Sequence, residues 1–160
     1  MFIRELIASD IPWVELLAAD QFGSPMVVSR GVLHDARQLP GLVAEVNSKP
    51  AGLLQYRRRG SEWEIVVLIS AIRRQGIGRK LLEAAKGKAR QAGCERLWLI
   101  TTNNNRVAQE FYAALGWQVV AVHRGAIREA RKLKPEIPDL DEEGIPIEDE
   151  VEFELRFSGG

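Results

Sequence analysis

The chain has 160 residues, of which 46% are hydrophobic and 28% charged, a composition typical of a globular domain with one core. It contains 22 basic and 22 acidic residues, so its net charge predicts no general attraction to nucleic acid or to an anionic membrane. The single cysteine, Cys94, excludes an internal disulfide and a multi-cysteine metal site. No long apolar run or apolar leader is present, so we expect a cytoplasmic protein with no metal.

The first half of the chain predicts a strand, a helix and a three-stranded meander. Phe2–Leu6 has the pattern of a strand, and Ser9 or Asp10 can cap the helix that follows. Glycine and proline interrupt Phe22–Leu39, where a short helix near Val32–Arg37 is the expectation. The meander is predicted at Gly41–Val46, Ala51–Arg58 and Glu62–Ser70.

The second half alternates helices with strands. A helix ending at Gly93, a strand, a second helix and another strand are predicted around Ile77–Ala89, Leu97–Thr102, Asn105–Leu115 and Trp117–His123. A basic helix at Gly125–Lys134 follows, and a last strand carries Val151, Phe153, Leu155 and Phe157 on one face and Glu150, Glu152 and Glu154 on the other. This order predicts one mixed α/β sheet in a single domain over residues 1–160.

A glycine-containing turn, Arg73–Lys80, precedes the first helix of this second half. The first N–H groups of a helix have no internal partner and lie at the positive end of its dipole, and Gly76 and Gly78 allow an anion close to the backbone. The turn is therefore either a pyrophosphate site or only a tight turn. It matches neither a dinucleotide-binding motif, because Leu81 replaces the third glycine, nor a P-loop.

Two motifs in this half of the chain resemble those of the GNAT superfamily of N-acetyltransferases. Arg73-x-x-Gly76-x-Gly78 is similar to the superfamily's Q/R-x-x-G-x-G/A motif. Asn105-x-x-Ala108-x-x-Phe111-Tyr112-x-x-x-Gly116-Trp117 is similar to its N-x-x-A-x-x-F-Y-x-x-x-G-F motif. The chain departs from the common pattern at Ser70, where proline is usual, and at Arg74, where a glycine is usual.

The resemblance implies an α/β (α+β) fold with one mixed, mostly antiparallel, twisted sheet of about seven strands. Helices flank this sheet, which is splayed between its fourth and fifth strands. The implied reaction is direct transfer of an acetyl group from acetyl-CoA to a primary amine. The cofactor-binding residues it implies are Leu68, Ile69, Ser70, Arg73, Arg74, Gln75, Gly76, Ile77, Gly78, Arg79, Lys80, Asn105, Ala108 and Tyr112.

Two residues are candidates for catalysis. The resemblance makes Tyr112 the general acid that protonates the leaving thiolate, the alternative being a core aromatic. Glu64 is the candidate general base, because Glu64-Ile65-Val66-Val67 resembles the strand on which histone-acetyltransferase relatives carry a glutamate base. Its shared strand parity with Val66 and Leu68 allows it to point into the cleft. The alternatives are an exposed strand-end carboxylate at this position, or a water chain as the base. Asn105 is either a polar contact to the cofactor or an N-cap.

The sequence leaves the acceptor open, and it can be a small molecule or a peptide amine. A silent acyl-CoA-binding module and a transferase of a longer acyl group are the rival functions. The basic segment Arg124–Lys134 indicates either an anionic substrate or a salt-bridged partner for the acidic residues after it, and we favour the second. The protein is expected to be a monomer or a homodimer. The resemblance allows a dimer that pairs through the last strand, but the charged face of Glu150, Glu152 and Glu154 argues against it.

Overall fold

The computed structural model describes residues 1–72 and 75–157, and nearly all of the predicted elements are present within them. The strands are β1 (Phe2–Glu5), β2 (Met26–Ser29), β3 (Val32–Asp35), β4 (Gly41–Val46), β5 (Lys49–Arg59), β6 (Glu62–Ser70), β7 (Arg96–Thr102), β8 (Gln118–His123) and β9 (Glu150–Arg156). The helices are α1 (Ile11–Phe22), α2 (Ile77–Gln91), α3 (Arg106–Ala114) and α4 (Ala126–Leu133). None of these four helices is both long and apolar enough to cross a membrane.

Seven strands form one sheet in the order β1-β4-β5-β6-β7-β9-β8. Neighbours are antiparallel except β6 and β7, which run parallel. The mixed, mostly antiparallel sheet flanked by helices is therefore confirmed. Strand β9 lies between β7 and β8 and pairs with both, so neither of its edges is free to pair with a second copy of the folded chain.

The parallel pair β6 and β7 separates half-way along its length. Pairing joins Glu62–Ile65 to Arg96–Leu99 and stops there, although β6 continues to Ser70 and β7 to Thr102. The edge of β6 beyond Ile65 therefore has no strand partner on the β7 side within the described residues. This confirms the splay between the fourth and fifth strands.

A β-bulge lies in β6 at the point where the two strands part. Gln55 faces Val67 and Tyr56 faces Ile65, which leaves Val66 as the extra residue. A bulge reverses the alternation of side chains beyond it. Leu68 accordingly packs with the cluster on one face of the sheet, whereas Val66 packs with the cluster on the other. The predicted shared parity of Glu64, Val66 and Leu68 therefore fails at Leu68.

Residues 26–35 form a β-hairpin where a short helix was expected. Ser29 pairs with Val32 across a two-residue turn of Arg30 and Gly31, which both have positive φ, 47° and 75°. This is the geometry of a type I′ turn, whose twist matches that of antiparallel strands. The helix near Val32–Arg37 is thus wrong, because the residues after the turn pair with the strand before it, Leu33 with Val28 and His34 with Val27.

The two faces of the sheet bury separate apolar clusters. Helices α2 and α3 cover one face, where Leu81, Leu97 and Phe153 are fully buried. Helix α1 and residues of the hairpin cover the other, around Val14 and Leu53. Each face thus presents its own set of side chains to the opening between β6 and β7.

Candidate active site

The first turn of α2 is exposed at the edge of the sheet. Gly76 is its N-cap with φ of 69°, and no side chain caps it among the described residues. Gln75, Gly76, Arg79 and Lys80 are exposed, whereas Ile77 is buried. The helix therefore offers unpaired backbone N–H groups and a positive dipole to an anion, as predicted. Arg73 and Arg74 lie outside the described residues.

Two glycines, Gly52 and Gly78, lie where the start of α2 packs against β5 and α3. A Cβ added at Gly52 of β5 would overlap Cγ2 of Ile77, so only glycine allows α2 to start this close to the sheet. Gly78 lies beside α3, and a Cβ there would be 3.6 Å from the Phe111 ring. The exposed helix end, the end of β6 opposite Gly52, and α3 therefore adjoin.

Tyr112 of α3 is only 8% exposed and lies in an aromatic cluster. The centroid of its ring is 5.4 Å from that of Phe111, 5.7 Å from Phe153 and 5.9 Å from Trp117. Burial raises the pKa of Tyr112 to about 12. The phenol is therefore a weaker acid than an exposed tyrosine, and it packs on the same face of the sheet as α2.

Asn105 is the N-cap of α3. Its Oδ1 accepts a hydrogen bond of 3.1 Å from the backbone N–H of Ala108, so the capping role is confirmed. The side-chain amide nitrogen is not used by this cap. Asn105 also lines the cleft between β6 and β7, where a donor is available to a ligand.

Glu64 is buried in the structure, with 5% of its surface exposed, so the interpretation as an exposed strand-end carboxylate is wrong. The Ser29 hydroxyl donates a 2.5 Å hydrogen bond to its Oε2. Nε2 of the buried His34 lies 4.0 Å from its Oε1 and has no hydrogen-bond partner in the described part of the chain. Burial raises the pKa of Glu64, although the Ser29 hydrogen bond and the nearby Arg57 charge oppose this. A raised pKa makes the ionised carboxylate a stronger base than an exposed glutamate.

Two cavities meet at Glu64 and Ser29. The larger, about 620 Å³, follows the opening between the strands and is lined by Val66 of β6, Ile100 of β7 and Asn105. The smaller, about 300 Å³, lies between the hairpin and the sheet. Glu64 thus occupies the boundary between a cleft at the strand opening and a second, charged pocket.

Glu64 and Tyr112 lie on opposite faces of the sheet. Tyr112 packs with Trp63 and Ile65, the two neighbours of Glu64, and adjacent strand residues point to opposite faces. The opening between β6 and β7 is where the two faces communicate. The candidate site therefore has the exposed N-terminus of α2 on one side and a buried carboxylate beneath the hairpin on the other.

Comparison with known proteins identifies this arrangement. The model of the acetyltransferase (GNAT) family matches residues 9–117, which include α1, the splayed strands, α2 and α3. The chain belongs to the GNAT acetyltransferase family.

Individual proteins support this membership. The chain is 42% identical over 137 residues to Uncharacterized protein YdhI of Bacillus subtilis (strain 168), which is 84% of this chain and 85% of YdhI. Its fold is similar to that of the IAA acetyltransferase from Bacillus cereus ATCC 14579, with a TM-score of 0.75, 21% identity and coverage of 98% of this chain and 99% of that one. It is also similar to yncA from Salmonella typhimurium, whose structure holds its cofactor acetyl-CoA (TM-score 0.71, 20% identity, coverage of 100% and 95%).

The GNAT motifs indicated one side of the site and missed much of the other. They indicated α2, Asn105 and Tyr112, whereas no motif indicated Ser29 or His34, which surround Glu64. The Arg30-Gly31 pair between two apolar runs is a hairpin signal that could have placed Ser29 and His34 on the two facing strands of one hairpin.

Proposed function

We propose that this GNAT protein is an N-acetyltransferase that moves an acetyl group from acetyl-CoA to a primary amine. The observation that carries the proposal is the opening between β6 and β7. An exposed helix N-terminus lies on one side of it, and the buried carboxylate of Glu64 lies on the other.

The residues of the α2 face fit the cofactor. The N–H groups at the start of α2 suit a pyrophosphate, and space for one exists because a Cβ at Gly76 would meet nothing within 4 Å. The unpaired edge of β6 at Leu68, Ile69 and Ser70 suits the amides of an extended pantetheine arm. The same edge can supply a backbone N–H to the thioester oxygen. Acetyl-CoA bound in the yncA structure agrees with this choice.

The carboxylate face fits the acceptor. Bound acetyl-CoA supplies a thioester, and the amine nitrogen forms a bond to its carbonyl carbon as the carbon–sulfur bond breaks. Before the nitrogen attacks, Glu64 accepts the proton that the substrate ammonium loses, and the raised pKa of this carboxyl, caused by burial, suits that role. The acceptor nitrogen reaches Glu64 through the larger cleft, which Glu64 lines.

Tyr112 is proposed to act on the leaving sulfur. Because its pKa is about 12, well above that of a thiol, full proton transfer to a thiolate is uphill. A hydrogen bond from the phenol to the developing thiolate is therefore the role that fits best. This bond stabilises the negative charge until the thiolate takes up a proton.

Gly78 offers a direct test of the helix end as a cofactor site. Gly78→Asp places a carboxylate in the first turn of α2, where it is favourable for the helix dipole but repels phosphate. The matched control is Gly87→Asp in the exposed middle of the same helix, where a Cβ meets nothing within 4 Å, whereas at Gly78 it makes only an ordinary 3.6 Å contact with the Phe111 ring. Acetyl-CoA affinity, measured by calorimetry, and CoA release with an amine panel are the readouts.

We expect Gly78→Asp to fold normally and to lose at least about tenfold in acetyl-CoA affinity, since it converts an attraction into a repulsion. Gly87→Asp should keep the affinity of the parent protein. Equal affinity in the two variants, or no CoA release from the parent protein with any amine, would overturn the proposed function.

A further inference from the structure

The smaller cavity beside Glu64 is unusually rich in arginine. We call it the arginine pocket: it lies between the β2–β3 hairpin and the sheet, has a volume of about 300 Å³, and is lined by Arg30, Arg57, Arg59 and Arg96. Three glutamates also line it. Its ligand preference therefore depends on which of these charges already neutralise each other.

Two of the four arginines are engaged by carboxylates of the protein. Arg96 contacts Glu62 at 3.1 Å and also binds Glu152. Arg30 holds the buried Glu150 at 3.0 Å. Arg96 also pairs with Glu154. Arg96 and Arg30 are therefore already engaged by carboxylates, and neither is available to bind a further anion.

Arg57 and Arg59 have no carboxylate within ion-pair distance in the described ranges. Arg57 is half-buried, and a guanidinium removed from water without an anionic partner is unfavourable. Arg57 pairs across the strands with Glu64, but the Glu64 carboxylate is hydrogen-bonded to Ser29 instead. Within the described ranges, the pocket thus contains two guanidinium groups without a direct ion pair, the half-buried Arg57 and the exposed Arg59, next to the proposed base.

Among the described residues, the cation that lines the larger cleft is already hydrogen-bonded within the protein. This cation, the buried Lys134, donates to the carbonyl oxygens of Phe22 and Met26 at 2.6 and 2.7 Å. These bonds tie Lys134 to the end of α1 and the start of β2. An anionic group near Glu64 is therefore better accommodated in the arginine pocket.

We propose that the acceptor is a small primary amine that also carries a carboxylate. Arg57 and Arg59 bind the carboxylate in the arginine pocket, and the amine lies beside Glu64. Adjacent strands are about 4.8 Å apart, so a few bonds between amine and carboxylate, as in an amino acid, bridge the two positions. This inference rests on the proposed function, since it names the substrate class of the same site.

A panel of matched ligands tests the inference. Each α- or ω-amino acid is compared with its carboxamide and with the corresponding amine that lacks the carboxylate. Binding to the CoA-saturated protein is measured by calorimetry, and CoA release from acetyl-CoA is measured separately. Arg57→Gln is compared with Arg58→Gln, whose side chain is exposed on the opposite face and stacks 4.8 Å from the Trp63 ring.

We expect the preferred amino acid to bind at least about tenfold more tightly than its carboxamide, as for a charge-assisted hydrogen bond. Arg57→Gln should remove most of this preference, and Arg58→Gln should keep it. The inference is overturned if no carboxylate-bearing amine binds more tightly than its carboxamide, or if the preference survives Arg57→Gln. Arg57-dependent binding without CoA release would instead support this inference and contradict the proposed function.

Discussion

The hydroxyl of Ser29 donates a 2.5 Å hydrogen bond to Oε2 of Glu64, and this bond joins the β2–β3 hairpin to the central strand of the sheet. It also favours the ionised carboxylate and so opposes the rise in the pKa of Glu64 that burial causes. A base works only when it is ionised. Ser29→Ala should therefore raise the pKa further and move the acidic limb of the pH profile of kcat/KM to higher pH.

Ser24→Ala is the control for this prediction, because Ser24 lies in the same segment and contacts only the backbone N–H of Met26, at 3.2 Å. Its pH profile should match that of the parent protein. An acidic limb that stays in place in Ser29→Ala would contradict the role of Glu64 as the titrating base.

Glu64→Gln should lower the turnover of the enzyme and raise the stability of the folded protein at high pH. The pKa of Glu64 is raised in the folded protein by burial, so the folded state binds more protons than the unfolded state as this carboxyl titrates. Its contribution to folding is therefore most favourable at low pH and is lost as pH rises through the folded pKa. The variant should raise the melting temperature at pH 8 but hardly at pH 4, and should lower turnover at least about 100-fold.

Thermal unfolding at both pH values checks this prediction. Glu83→Gln on the exposed face of α2 serves as the matched control and should leave the pH dependence of stability unchanged. A Glu64→Gln variant that is less stable at pH 8 than the parent protein would contradict the expected direction of the effect.

Tyr112→Phe should separate catalysis from binding. The ring stays in the aromatic cluster, and the loss of a buried hydroxyl changes the free energy of unfolding by about 1 kcal/mol or less. Turnover should fall about 100-fold or more, with acetyl-CoA affinity nearly unchanged. Tyr56→Phe is the control, since Tyr56 stacks on Trp63 with a 4.6 Å centroid distance; undiminished turnover in Tyr112→Phe would refute the proposed role.

Asn105 can be tested so that its capping role is preserved. Asn105→Asp keeps the oxygen that accepts from Ala108 and removes the amide donor, whereas Asn105→Ala removes both and should cost about 1 kcal/mol of stability. If the amide donor contacts the cofactor, both variants should raise KM for acetyl-CoA. A rise confined to Asn105→Ala would assign Asn105 to capping alone.

Local sequence patterns predicted the elements well because each has its own periodicity and boundary residues. The turn signals around β5 and the period of α2 depend on residues close in the chain. The bulge at Val66 could not be predicted in this way, because it is defined by which residues of β5 face those of β6. Glu64 was consequently placed on the correct strand but related to Leu68 by a parity that the bulge breaks.

The charged face of β9 shows the same limit. The alternation of Glu150, Glu152 and Glu154 predicted an outer face, yet Glu150 is 1% exposed and pairs with Arg30, while Glu152 and Glu154 pair with Arg96. The partners lie far away in the chain, so composition alone could not show that these carboxylates are covered. The favoured pairing of the basic segment with the acidic residues after it is present in part, since Arg131 lies 3.3 Å from Asp139.

The position of β9 between β7 and β8 has a consequence for how the chain is assembled. Strand β8 is synthesised before β9 but has no other neighbour in the sheet. During biosynthesis, the sheet from β1 to β7 can form first. The edge of β7 that later pairs with β9 then has no hydrogen-bonded partner while β8 and α4 leave the ribosome. The nascent protein must pass through a stage with an unprotected strand edge, so this step, rather than formation of the early meander, is where misassembly and chaperone binding are expected.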